Sequence, residues 1–133
     1  MINGRGIKVI VSMIGLDSHT TGAEVVVTLL RDAGFEVVYL GVNQTPAMIV
    51  NAAIEEDVDV VGISSHASNF ALIEELMDLV RKNGLADVAV VCGGNIPPNQ
   101  IGKLAALGVT KVFPPGTPGD AIVEYMAGQG RRT

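Results

Sequence analysis

Val58-Asp59-Val60-Val61-Gly62-Ile63-Ser64-Ser65 is the longest apolar run of the chain. Its β-branched residues stand side by side instead of alternating with polar ones, and it is too short for a helix. Such a run reads as a strand buried on both faces, the signature of a central strand in a parallel sheet. Helical patterns flank it on both sides. Upstream, Thr45-Pro46 opens a helix, with Thr as cap and Pro in the first turn. Downstream, a helix over about 70–83 closes on Gly84.

The alternation continues outward in both directions. Residues 36–40 read as a strand. Before them lies a helix over about 22–33 whose Ala23, Val26, Val27 and Leu30 form one face. Thr21 and Glu24 make a capping-box pattern at its start, and Gly34 ends it. Residues 7–14 form the first strand. Toward the other end, 88–92 read as a strand and Pro97-Pro98 leads into a helix that stops at Gly108. Residues 109–113 form the fifth strand, and Thr117-Pro118 opens the last helix. Five strand–helix units predict an α/β, flavodoxin-like (Rossmann-type) doubly wound sheet of five parallel strands in the order 2-1-3-4-5.

Composition agrees with this reading. The 133 residues are 48% hydrophobic but only 4% aromatic, so the core is built from Val, Ile, Leu and Ala. Residues 1–133 suit a single domain, with a core over about 6–127 and a frayed tail at 128–133. The mean hydropathy of +0.41 is high, yet no run reaches the roughly 18 apolar residues of a membrane span. A net charge of −5, with no basic cluster beyond Arg131-Arg132, argues against nucleic-acid and anionic-membrane partners. The N-terminus lacks a signal-peptide core and the single Cys92 cannot form an internal disulfide, so a cytoplasmic protein is expected. Cys92, Met48, Met77 and Met126 read as packing residues. Asp57 and Asp59 read as solvating a strand entrance, and Glu74, Glu75, Asp78, Arg81 and Lys82 as the wet face of a helix.

In an open parallel sheet the ligand sits beyond the carboxyl ends of the strands, near the switch point between strands 1 and 3. The segments there are 15–22, 64–69, 93–98 and 114–118. The first reads Gly15-Leu16-Asp17-Ser18-His19-Thr20-Thr21-Gly22. Asp17 and His19 stand two apart, so a carboxylate can hold one imidazole nitrogen while the other points outward, as in a metal-bound histidine. Ordinary loop hydrogen bonding is the competing explanation of such a pair. A lone histidine is a poor site for a free ion, and among the histidines only His66 could join it. One axial ligand makes sense when a macrocycle supplies the others.

Asp17-x-His19-x-x-Gly22 resembles the Asp-x-His-x-x-Gly signature of cobalamin-binding domains in base-off, histidine-on mutases and methyltransferases. Ser64-Ser65-His66 stands where that family has Ser-x-Leu, Gly93-Gly94 matches its Gly-Gly, and Pro115-Gly116-Thr117 matches its Pro-Gly-Thr. The likeness covers about residues 6–127. It implies that His19 is the lower axial ligand of cobalt, with Asp17 as its hydrogen-bond partner. The displaced nucleotide tail would enter a channel between the sheet and the first and last helices, flanked by Ser18, Thr20, Thr21 and Gly22. Ser64 would bond the base nitrogen, with Ser65 and His66 beside it. Gly93 and Gly94 would let the tail lie against backbone, and Gly116-Thr117 would face it from the other wall, Thr117 at the free N–H groups of a helix start.

Two departures stand out. His66 replaces the family's Leu and reads as a spectator or pocket-lining residue. Met13 stands where many acyl-CoA mutases have a Lys near the Asp–His pair.

The resemblance implies the small subunit of an adenosylcobalamin-dependent radical mutase, an isomerase inactive alone. Its partner would be a large barrel-type catalytic subunit, in a heterotetramer or homodimer. Gln44-Thr45-Pro46 and Asp57-Val-Asp-Val-Val-Gly-Ile-Ser resemble acyl-CoA mutases of the methylmalonyl-, isobutyryl- and 2-hydroxyisobutyryl-CoA types. Gly93-Gly94-Asn95-Ile96 and Phe113-Pro114-Pro115-Gly116-Thr117 look more like glutamate (methylaspartate) mutase. A corrinoid methyl carrier is the reading from another class, but such proteins place a helical bundle before this domain. A phosphoreceiver needs an Asp after strand 3 and a Lys after strand 5, where this chain has Ser64-Ser65 and Pro114-Pro115. A flavodoxin needs a phosphate loop and rings to stack on flavin, and neither is evident.

Overall fold

The computed structural model describes residues 4–15, 21–66 and 69–130, with Thr21 described by its backbone alone. Strand and helix alternate throughout: β1 (Lys8–Met13), α1 (Thr21–Asp32), β2 (Glu36–Gly41), α2 (Pro46–Glu56), β3 (Val60–His66), α3 (Phe70–Lys82), β4 (Ala89–Asn95), α4 (Pro98–Ala106), β5 (Lys111–Phe113) and α5 (Gly119–Ala127). The strands make one sheet in the order β2-β1-β3-β4-β5, and all neighbours are parallel. This is the flavodoxin-like architecture expected from the sequence.

The two faces of the sheet carry different layers. Ile10, Val61, Ile63, Val90 and Cys92 pack against α2, α3 and α4. Val9, Val11, Met13, Val60 and Val91 pack against α1 and α5. Leu30, Leu76 and Leu104 are each wholly buried under their helices, and such burial stabilises by about 1.5–3 kcal/mol per side chain. Thr45 caps α2 by accepting the Met48 N–H at 3.2 Å, and Gly34 ends α1 in the left-handed conformation, φ +94°. Among the described residues no helix is long and apolar enough to cross a membrane.

Three expectations need correction. Asp59 does not meet solvent. It is fully buried and its Oδ2 accepts the Lys8 N–H at 2.9 Å, while its own N–H donates to Lys8 O at 2.9 Å. A carboxylate beside the first residue of β1 satisfies an amide that has no partner strand there. Met48 is not a packing residue, for it lies 46% exposed on the outer side of α2. The last helix opens at Thr117-Pro118 with Pro118, not Thr117, as its cap. The Thr117 hydroxyl donates to Pro114 O at 2.6 Å and its N–H to the same oxygen at 3.1 Å, closing a turn before α5. Thr117 therefore offers no free backbone N–H to a ligand.

β3 and β4 also run further than the apolar pattern suggests, to His66 and Asn95. Their last rungs pair Ser64 with Gly93, Ser65 with Gly94 and His66 with Asn95. This extension carries the Gly-Gly pair beyond the packed core.

Candidate functional site

At the carboxyl ends of the strands a channel of about 320 Å³ opens between the sheet, α1 and α5. Strand register orders its sheet wall into levels. Val11, Gly62 and Val91 stand side by side and form the floor. Ser64, Gly93 and Phe113 form the next level. Asn95 stands at the mouth beside His66. Gly22, Ala23 and Val26 supply the α1 wall, Ile122 and Met126 the α5 wall, and the turn 114–117 closes the side toward β5.

Among the described residues no lining side chain carries a charge. The side-chain polar groups are those of Ser64, Asn95 and Thr117, and the Thr117 hydroxyl already donates to Pro114 O. Ser64 projects into the channel because it shares a side of β3 with Gly62. Ser65, one residue on, falls on the opposite side. It is buried, and its hydroxyl has no hydrogen-bond partner among the described residues. His66 returns to the channel side at the mouth but does not line the cavity. Its backbone N–H donates to Asn69 Oδ1 at 2.8 Å, which ties the end of β3 to the start of α3.

Glycine is used in two ways here. Gly94 is demanded by the fold. Its φ is +105°, and a Cβ would lie 2.6 Å from Ser65 O, so a side chain meets both backbone strain and a clash. Gly22 is not demanded by any packing. Among the described residues a Cβ on it would meet no atom within 4 Å, although glycine weakens a helix by up to about 1 kcal/mol relative to Ala. Gly93 is similar, since its Cβ would make only ordinary contact with Phe113 at 3.8 Å. These two leave open space that faces the channel.

The structure thus brings together Gly22, Ser64, Gly93, Gly94, Gly116 and Thr117 of the sequence-derived candidates. It separates Ser65 from them and leaves His66 at the rim. Asp17, Ser18, His19 and Thr20 lie outside the described residues, as does the side chain of Thr21. Sequence reasoning missed the apolar floor. A glycine within the most apolar strand is the one signal that pointed there, because Gly in a strand interior often marks the close approach of a ligand.

A family model described as "B12 binding domain" matches residues 7–123. The chain belongs to the B12-binding domain family.

Two relatives of similar length are mutase small subunits. The chain is 43% identical over 129 residues to the pivalyl-CoA mutase small subunit of Xanthobacter autotrophicus, covering 97% of this chain and 87% of that one. It is 38% identical to the 2-hydroxyisobutanoyl-CoA mutase small subunit of Aquincola tertiaricarbonis, covering 90% and 89%. The methylmalonyl-CoA mutase of Escherichia coli is 40% identical over 117 residues, 87% of this chain but 16% of that one. Among solved structures, a cobalamin-binding protein from Desulfitobacterium hafniense superposes with a TM-score of 0.78 at 23% identity, covering 91% of this chain and 57% of that one. A response regulator from Desulfuromonas acetoxidans reaches 0.68 at 11% identity, covering 90% and 93%. The last two likenesses concern the fold alone. This B12-binding domain has Ser64 and Pro114 where a receiver needs its Asp and Lys.

The residues present fit the tail of a corrinoid whose lower base has left cobalt. Such a tail needs a groove at the strand ends with few side chains in its way. The channel offers an apolar floor, one free hydroxyl on Ser64, and glycines whose missing side chains leave room that packing does not require.

Proposed function

We propose that this chain is the cobalamin-binding small subunit of an adenosylcobalamin-dependent acyl-CoA mutase. The observation that carries this reading is the end-to-end likeness to two acyl-CoA mutase small subunits, joined to a channel at the position where a B12-binding domain needs one. Residues 1–133 act as a single domain, working in the cytoplasm against a large, barrel-type catalytic subunit in a heterotetramer or homodimer. The partner supplies the substrate pocket, and the substrate is an acyl-CoA of the methylmalonyl, isobutyryl or 2-hydroxyisobutyryl class.

His19 would hold cobalt through one ring nitrogen and Asp17 would hold the other, fixing the tautomer and raising the basicity of the bound one. Ser18, Thr20 and Thr21 shape the loop that carries the pair. Ser64 donates to the nitrogen of the displaced base. Gly22, Gly93, Gly94 and Gly116 let the tail approach backbone, with Thr117 at the rim. Ser65 supports this wall from the opposite side of β3, and His66 lines the entrance. When bound, adenosylcobalamin supplies a cobalt–carbon bond whose homolysis starts the rearrangement; the protein supplies binding, orientation and axial electronics. Burial in a dry channel fixes the tail and keeps water from its base.

The test is electron paramagnetic resonance of the cob(II)alamin-loaded protein, with and without nitrogen-15 histidine. The expected result is a change of splitting on labelling that disappears in His19→Ala and persists in His66→Ala. Splitting indifferent to the label refutes His19 as ligand. Met13, Gly93-Gly94-Asn95-Ile96 and the Phe113–Thr117 turn favour a second reading, the small subunit of glutamate mutase. A large subunit whose barrel has an amino-acid pocket and no coenzyme A channel would select it.

A further inference from the structure

The last rung of the β3–β4 ladder sets His66 opposite Asn95. Residues two apart on a strand share a side and advance about 7 Å. His66 therefore stands one step outward of Ser64, and Asn95 one step outward of Gly93. Asn95 is exposed and lines the cavity, and His66 is half-buried beside it at the rim. The backbone of this rung is held at both strands. The His66 N–H donates to Asn69 Oδ1 at 2.8 Å, and the Ile96 N–H donates to Gly94 O at 3.0 Å. Two side chains with N–H donors thus meet where the ladder ends. An imidazole has two nitrogens, so one can be engaged within the protein while the other donates outward.

We infer that the His66–Asn95 rung seats the phosphodiester of the cofactor's tail, with the His66 imidazole as its principal donor. The inference rests on the reading that the channel takes the nucleotide tail. That tail is anionic at one place, the phosphodiester, which stands between the corrin and the ribose. With the base beside Ser64 and the corrin beyond the rim, the phosphodiester passes the level of His66 and Asn95. Among the described residues the channel lining holds no Lys or Arg to meet it. An anion leaving water needs donors, and phosphate oxygens accept strongly from imidazole and carboxamide N–H groups. The leucine of the Ser-x-Leu signature has no donor to offer. His66 therefore gives this chain a contact that the signature lacks.

Equilibrium dialysis of the full chain against cobalamin, cobinamide phosphate and cobinamide tests this. Cobinamide phosphate ends at the phosphate and cobinamide just before it, so their ratio reads the phosphate alone. The parent should hold cobinamide phosphate about tenfold tighter than cobinamide, the effect of one hydrogen bond to a charged group. In His66→Leu that ratio is expected to fall toward unity and cobalamin to weaken by the same factor, with cobinamide unchanged. His66→Gln keeps a donor and should lose less. The phosphorus-31 resonance of bound cobalamin is expected to differ between the parent and His66→Leu. A parent ratio near unity, or one that survives in His66→Leu, overturns the seat. The tail-in-channel reading then stands if cobalamin still binds tighter than cobinamide phosphate. Cobinamide binding as tightly as cobalamin overturns that reading and the inference with it, and so does failure to bind all three. Should His66→Leu melt below the parent, Asn95→Ala carries the same comparison, and a surviving ratio there again overturns the seat.

Discussion

At the scale of single residues, Asp59 carries a load that its polar character hid. Its carboxylate is the partner of the Lys8 N–H at the start of β1, so Asp59→Ala leaves a buried amide unpaired. A loss of about 1–3 kcal/mol in urea unfolding is expected; Asp59→Asn, which keeps one carbonyl oxygen, should lose less. Ser65 is the opposite case. Its buried hydroxyl has no partner among the described residues, so Ser65→Ala should be neutral or stabilise by up to about 1 kcal/mol by the same measurement. Gly22→Ala separates the fold from its ligand. With no described atom within 4 Å of the new methyl, the free protein should gain up to about 1 kcal/mol from helix propensity, whereas cobalamin binding in dialysis should weaken by about tenfold as the methyl enters the channel. A variant that loses stability, or one that binds as before, would refute that division of roles.

At the scale of elements, most of the architecture was legible because its signals are local. Thr45-Pro46 caps α2 as read, and the apolar face of α1 packs Ala23, Val27 and Leu30 into the core. The ends of β3 and β4 were not legible. His66 at the end of β3 and Gly93–Asn95 at the end of β4 lack the apolar side chains that mark a strand, and pairing holds them extended past the core. The place of Ser64 beside the Gly-Gly pair was visible as a motif, but the side each residue faces follows only from register. For that reason Ser65 and Ser64, adjacent in sequence, are separated by the sheet. The floor was missed because Val11 and Val91 are indistinguishable in sequence from their core neighbours. Gly94→Ala is the element-scale test. Its φ of +105° and a 2.6 Å approach to Ser65 O predict a loss of about 2–3 kcal/mol in chemical denaturation, with the β3–β4 end amides exchanging hydrogen faster than in the parent.

At the scale of the whole molecule, Cys92 couples stability to alkaline pH. Burial among the α2–α3–α4 side chains pushes its thiol up to about 12 from an ordinary 9.0. The folded thiol stays neutral while the unfolded chain ionises, so its contribution is fully present below pH 9 and is lost as pH rises toward 12. Between those limits the stability difference between the parent and Cys92→Ala should change by about 1.4 kcal/mol per pH unit, measured by denaturation across that range. A thiol-specific reagent should label the native protein only at its rate of opening.

The channel is also a junction between distant parts of the chain. Its helical walls are α1 and α5, the first and last helices, and they meet so closely that a Cβ on Gly119 would lie 2.7 Å from Leu29 Cδ1. During synthesis the floor strands are made long before the second wall exists. Capture of any occupant must therefore wait for α5 to leave the ribosome and dock. A chain interrupted before α5 lacks one wall of the groove, together with the Val123 and Met126 side chains that cover that face of the sheet.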